Sequence, residues 1–162
     1  MPISPAAAVA IATQVIAAGP GAGDEAFLAW RGAMPGEPQL VHDEAGEPSY
    51  WLVPVRAGGA VVGGVRIGVD GRPMASAACR AGSAITDIDA IDTMRRAAAT
   101  IALRAGDQLG SPLLVHDGPP GREAWRIGVI NADRLVRWVF VTPGGIYQRK
   151  AGAAPPGPEW EA

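Results

Sequence analysis

Around Tyr50 the chain alternates, with Trp51, Val53 and Val55 on one face of an extended segment. Gly58-Gly59 supplies a tight hairpin, and residues 60–69 return as a partner strand before Asp70-Gly71 turns the chain again. The pattern recurs. Leu-Val-His-Asp stands at residues 40–43 and again at 114–117, and the same offset of 74 superposes Gly32, Gly36, Pro38, Trp51, Val55, Val62, Val65 and Gly71 on Gly106, Gly110, Pro112, Trp125, Val129, Val136, Val139 and Gly145 without a gap. The sequence reads as an internal duplication.

Ahead of each run of strands lies helical spacing. Ser4 is placed to cap a helix over residues 6–18 with Pro5 in its first turn, and Gly19-Pro20-Gly21 stops it. A short helix over 24–31 then carries Phe27, Leu28 and Trp30 and ends at Gly32. In the second half the spacing of Ile88, Ile91, Met94, Ala98, Ile101 and Ala102 predicts one longer helix over 86–105, ended by Gly106. Strands are predicted at 39–42, 50–56, 60–69 and 72–75, then at 113–116, 124–130, 134–142 and 146–149. The expected fold is α+β. Two tandem helix-plus-antiparallel-sheet repeats, residues 1–76 and 77–150, would pair about a pseudo-two-fold axis, because one unit of about 50 residues is marginal alone. Residues 151–162, rich in Ala, Pro and Gly, are expected to be disordered, with Trp160 a passenger.

The strand at residues 50–55, the Gly58-Gly59 hairpin and the run Val65-Arg66-Ile67-Gly68-Val69-Asp70-Gly71-Arg72 resemble the PepSY and cystatin-like families, with a counterpart at 125–145. What the resemblance implies is a helix wrapped by an antiparallel sheet and a non-enzymatic role, as in propeptides, inhibitors and protein-binding or regulatory domains.

Composition narrows the function classes. Cys79 is the only cysteine, so no disulfide framework forms within the chain and a reducing, cytoplasmic setting is expected. Residues 1–19 read as a helix and not as a signal peptide, and no stretch reaches the roughly 20 apolar residues that span a bilayer. A net charge of −2 argues against a nucleic-acid binder. Thirteen of the 14 bases are Arg, which fits a GC-rich genome. The charges are unevenly spread: residues 1–48 carry six acids against Arg31, whereas residues 122–150 carry six bases against Glu123 and Asp133. Such opposition could steer the repeats together, steer a homodimer or present a basic strand face to an anionic partner.

The two histidines, His42 and His116, sit in the duplicated tetrapeptide. Each neighbours an Asp, but adjacent strand residues face opposite ways, so neither His-Asp pair forms a dyad. An acid-base or metal role for His42 and His116 would have to be shared across the repeats, and beyond two His and Cys79 only carboxylates remain as ligands, so no metal, cofactor or catalytic residue is assigned. Asp43 and Asp117 are expected to start turns, and Cys79 is read as structural, although Arg80 beside it could lower its pKa. The repeats differ most where Gly63 and Gly64 correspond to Arg137 and Trp138. Glycines in a strand mark a bulge or the close approach of another backbone or ligand. Val136, Trp138 and Phe140 form an apolar row opposite Leu135, Val139 and Val141, and that row is expected to need cover from the partner repeat, a second subunit or an apolar ligand. The favoured expectation is a protein- or peptide-binding scaffold contacting its partner through Trp138, Arg137, Phe140, Gly63, Gly64, His42 and His116. The alternative is a small enzyme or ligand carrier with a pocket between the repeats.

Overall fold

The computed structural model describes residues 1–80 and 82–153, so all but the first three residues of the tail, Trp160 included, lie outside the described residues. Strands dominate, helices are few, and the chain divides into two compact units: Met1–Val41 with Pro48–Asp87, and His42–Glu47 with Ile88–Ala162.

The first unit opens with α1 (Pro5–Ala18), where Ser4 Oγ accepts a hydrogen bond from the Ala7 amide at 3.2 Å and Pro5 occupies the first turn, which needs no amide donor. Two 3-10 turns follow, Gly19–Gly21 and Glu25–Trp30, the second capped by Asp24. The segment expected as a short α-helix is therefore wound more tightly. Next come β1 (Met34–Pro35), β2 (Gln39–His42), β3 (Pro48–Ala57), β4 (Ala60–Gly68) and β5 (Pro73–Ala78), ordered β2-β3-β4-β5 with β1 beside β3. Ala8, Ala12 and Ile16 of α1 are buried with Trp51, Val53, Val55, Val65 and Ile67, and the small alanines let the helix lie close to the sheet. Each buried Val or Ile contributes roughly 1.5–3 kcal/mol.

The second unit contains α2 (Ala90–Thr100), β6 (Asp107–Leu109), β7 (Leu113–His116), β8 (Glu123–Asn131), β9 (Arg134–Thr142) and β10 (Gly145–Lys150), ordered β7-β8-β9-β10 with β6 beside β8. Met94, Ala97 and Ile101 pack on Ile127, Val129, Val139 and Val141. The helix expected over residues 86–105 is shorter. Asp89 caps it by accepting the Asp92 amide at 2.7 Å, and Ile101 is already extended at φ −92°, ψ 135°. Ile91, counted on the apolar stripe, is 72% exposed. Strand pairing is mixed: β3 with β4, β4 with β5, β7 with β8, β8 with β9 and β9 with β10 are antiparallel, and His42 pairs in parallel with Val115.

Within each unit the main hairpin has the same ladder. Trp51 pairs with Ile67, Val53 with Val65 and Val55 with Gly63, and a bulge at Val62 then brings Arg56 opposite Val61. In the second unit Trp125 pairs with Val141, Ile127 with Val139 and Val129 with Arg137, and a bulge at Val136 brings Ile130 opposite Leu135. All of these pairs are related by the 74-residue offset. The indole of Trp51 donates to Ile3 O at 3.1 Å, and that of Trp125 to Ile88 O at 2.9 Å. Each acceptor lies two residues before the first residue of its helix. The helices themselves are 85 residues apart, and the extra chain in the first unit is the 3-10 segment that ends in Trp30. No helix among the described residues is long and apolar enough to cross a membrane.

Candidate binding face

The outer face of the second sheet, away from α2, is built around a carboxylate. Asp117 follows β7 and is 1% exposed, and its amide closes a turn on Arg122 O at 2.9 Å. Burial of a charge demands partners. Tyr147 Oη donates to Asp117 Oδ2 at 2.5 Å and Arg149 Nη1 to Oδ1 at 2.7 Å, both from β10. Asp117 is thus the anchor of a buried network and not merely the turn residue its sequence position implies.

Aromatic rings fill the space beside it. Phe140 stacks on Tyr147 with ring centres 4.9 Å apart, the Arg149 guanidinium lies 4.8 Å from the Phe140 ring, and that of Arg126 lies 4.3 Å from the Trp138 ring. The strand registers make this arrangement, since Arg126 and Tyr147 both pair with Phe140, and Arg149 pairs with Trp138. The turn after β2 completes it. Arg126 Nη1 donates to Glu44 O at 2.7 Å, and Arg149 Nη2 lies 3.9 Å from Glu44 Oε2. Part of the charge opposition seen in the sequence is therefore satisfied inside this one unit.

These surroundings set the protonation behaviour. Burial first, and then the hydrogen bond to Asp117, pushes the Tyr147 phenol well above its ordinary range, so it stays neutral. Burial, with the neighbouring Arg149 charge, lowers the Arg126 guanidinium pKa from its ordinary value. Burial likewise raises the Cys79 thiol, contrary to a lowering by the adjacent Arg80. The phenol is held neutral and Asp117 is occupied on both oxygens, whereas Glu44 Oε1 is buried without a hydrogen-bond partner.

Several expected site residues lie elsewhere. Arg137 is on the helix side, where Nη2 donates to Ala102 O at 2.8 Å and lies 3.4 Å from Asp107 Oδ2. Gly63 is not open to a ligand. A Cβ there would sit 2.6 Å from Trp30 Nε1 and 2.6 Å from Ala77 O, so Trp30 fills the space that the glycine leaves. At Gly64 a Cβ would come within 3.2 Å of Leu52 Cδ1. His42 Nδ1 lies 3.2 Å from Leu114 O and His116 Nδ1 2.5 Å from Gly118 O. His42 is opposite Val115 in the register, whereas His116 is the next residue and faces the other way, so the pair shares no site. No cluster of three or more metal-ligating residues occurs among the described residues.

The apolar row is also different from its expected form. Phe140 is fully buried by its neighbours on this sheet, and the bulge at Val136 turns Leu135 outward, where Leu135 and Trp138 both approach Gly128. Cover for Phe140 thus comes from Tyr147 and Arg149 of the next strand. Leu135 (38%), Val136 (40%) and Tyr147 (38%) remain exposed around a partly exposed Trp138. Tyr147, Arg149, Arg126 and Glu44 are not singled out by the sequence, which marks Asp117 only as a turn residue, and only the bases near an aromatic-rich strand hint at the network. No protein-family model, curated protein or solved structure matches this chain.

Proposed function

We propose that the chain is a non-enzymatic protein- or peptide-binding module, made of two copies of one PepSY- or cystatin-like helix-on-sheet unit, and that the outer face of the second sheet is its contact surface. One observation carries this reading. The buried Asp117 ties Tyr147 and Arg149 in place, which fixes a rigid backing of rings and guanidinium groups beneath exposed Leu135 and Val136 and a partly exposed Trp138. Trp, Tyr and Arg on a pre-organised surface are the residues that dominate binding energy at protein interfaces. A cytoplasmic setting suits the single unpaired Cys79.

The test is selection of peptides from a random display library on the immobilised full-length protein. Peptides should be enriched, and their affinity should fall about 30-fold or more in Trp138→Ala, the effect of losing a strong interface residue. Failure to enrich any peptide, or binding unchanged by both Trp138→Ala and Leu135→Asp, would overturn the proposal.

A further inference from the structure

The first sheet ends in an edge that lacks the usual protection. Among the described residues β5, Pro73-Met74-Ala75-Ser76-Ala77-Ala78, pairs with β4 alone; it carries no charge and is exposed from Pro73 to Ala77. Sheet edges are ordinarily blunted by charges, proline or a covering element, because unpaired amides and carbonyls recruit another strand. β10, the corresponding edge of the second unit, carries Arg149 and Lys150. On β5 the single such device is Pro73, at the first residue.

The register identifies the free groups. The Cys79 amide donates to Val62 O at 3.0 Å, so alternation directs Ala77 and Ala75 toward β4 and leaves the N–H and C=O of Ser76 and Ala78 pointing outward. Met74, at the bulge in this pair, is 49% exposed, as is the 50% exposed Leu28 of the 3-10 segment that packs against β5.

From these features we propose that β5 pairs antiparallel with β5 of a second copy of this chain, forming a two-fold dimer centred on Ala77. Charge selects the register. A pairing centred on Ser76 would set Arg72 opposite Arg80 of the second copy, whereas centring on Ala77 sets Arg80 opposite Met74 and Arg72 opposite Gly82. In that register Ser76 and Ala78 exchange backbone hydrogen bonds, and the central close pair is Ala77 with itself, where small side chains fit. One strand pair buries less than the roughly 1,200 Å² of a stable interface, so Leu28 and Met74 supply the remaining apolar contact and the dimer is reversible. This surface is separate from the face of the second unit and does not depend on that reading.

Sedimentation of the full chain over about 1–200 µM tests it. The expected result is a concentration-dependent dimer that Ser76→Pro abolishes, since that substitution removes an outward amide while leaving the β4 pairing intact. Ala77→Lys should also be monomeric, as should Ala77→Glu, because each places like charges opposite one another at the axis. Mixing those two variants should restore a dimer of one of each. A monomer at every concentration, a dimer indifferent to Ser76→Pro, or failure of the mixed pair to associate overturns the proposal. Circular dichroism confirms that each variant is folded.

Discussion

The two units share a ladder and differ in what they place on each side of it. On the helix side, the first unit has Gly63 beneath Trp30, whereas the second has Arg137 reaching to Ala102 O and Asp107. On the outer side, Leu52, Gly64, Arg66, Ala75 and Ala77 occupy the register positions held in the second unit by Arg126, Trp138, Phe140, Tyr147 and Arg149. A common backbone thus supports a smooth sheet in one unit and a ring-and-guanidinium surface in the other. The difference separates what the fold requires from what has been added to it. Trp51, Trp125 and the two bulges are requirements, while Trp30 and the Asp117 network are local additions.

Removing the plug should have the largest effect. Trp30→Ala should cost about 3–5 kcal/mol of unfolding free energy in urea, because a fully buried ring is lost over a glycine that cannot fill the gap. Gly63→Arg alone should be damaging as well, since its side chain meets Trp30. Combined, the two should cost less than their sum, and additive costs would show that Trp30 and Gly63 are not exchanged for an arginine as one unit.

The next comparison sets Asp117 against Asp43. Asp117→Asn should destabilise by about 3 kcal/mol, because it leaves Arg149 buried beside an uncharged partner. Asp43, whose Oδ1 only accepts the Glu47 amide at 2.9 Å in an exposed turn, should cost about 1 kcal/mol when changed to Asn. Equal costs in thermal or urea unfolding would break the distinction drawn between the two turns.

Tyr147 gives a smaller effect with a pH signature. Tyr147→Phe should lose about 1.5 kcal/mol near neutral pH, through the hydrogen bond to Asp117. Because the folded-state phenol pKa lies above its ordinary value of 10.0, the stability it contributes is complete below that pH and lost as pH rises beyond it. Native protein should therefore weaken in alkali more steeply than the Phe variant, measured by urea midpoints on either side of that pH. Parallel alkaline profiles would remove Tyr147 from the account.

Much of the ladder could be read from one sequence because alternation and glycine turns are local. The strands at Gln39–His42, Leu113–His116 and Arg134–Thr142 have the bounds that their patterns predict. β1 and β6 were missed, being two and three residues long with too little chain to show a period. The second helix was overextended because Ile88 and Ala102 keep the helical spacing while lying outside the capped turn structure. Leu135 was placed on the wrong face because a bulge shifts parity without changing composition. The site was less legible than the fold. Gly63 is expected to admit another backbone or a ligand, whereas the space is filled by the side chain of Trp30, 33 residues earlier, and nothing local links the two. Asp117 has the same tetrapeptide around it as Asp43, so only the partners brought by β10 distinguish a buried anchor from a turn.

The segment His42–Glu47 belongs to the second unit although the chain on both sides of it belongs to the first. Glu44, within it, supplies the carbonyl for Arg126 and the carboxylate near Arg149. The period written in the sequence is therefore not a line along which the protein can be divided. A fragment beginning at residue 77 would carry every strand of the second sheet from β6 onward, yet lack the acceptor that its arginines use. The later half of the chain borrows six residues from the earlier one.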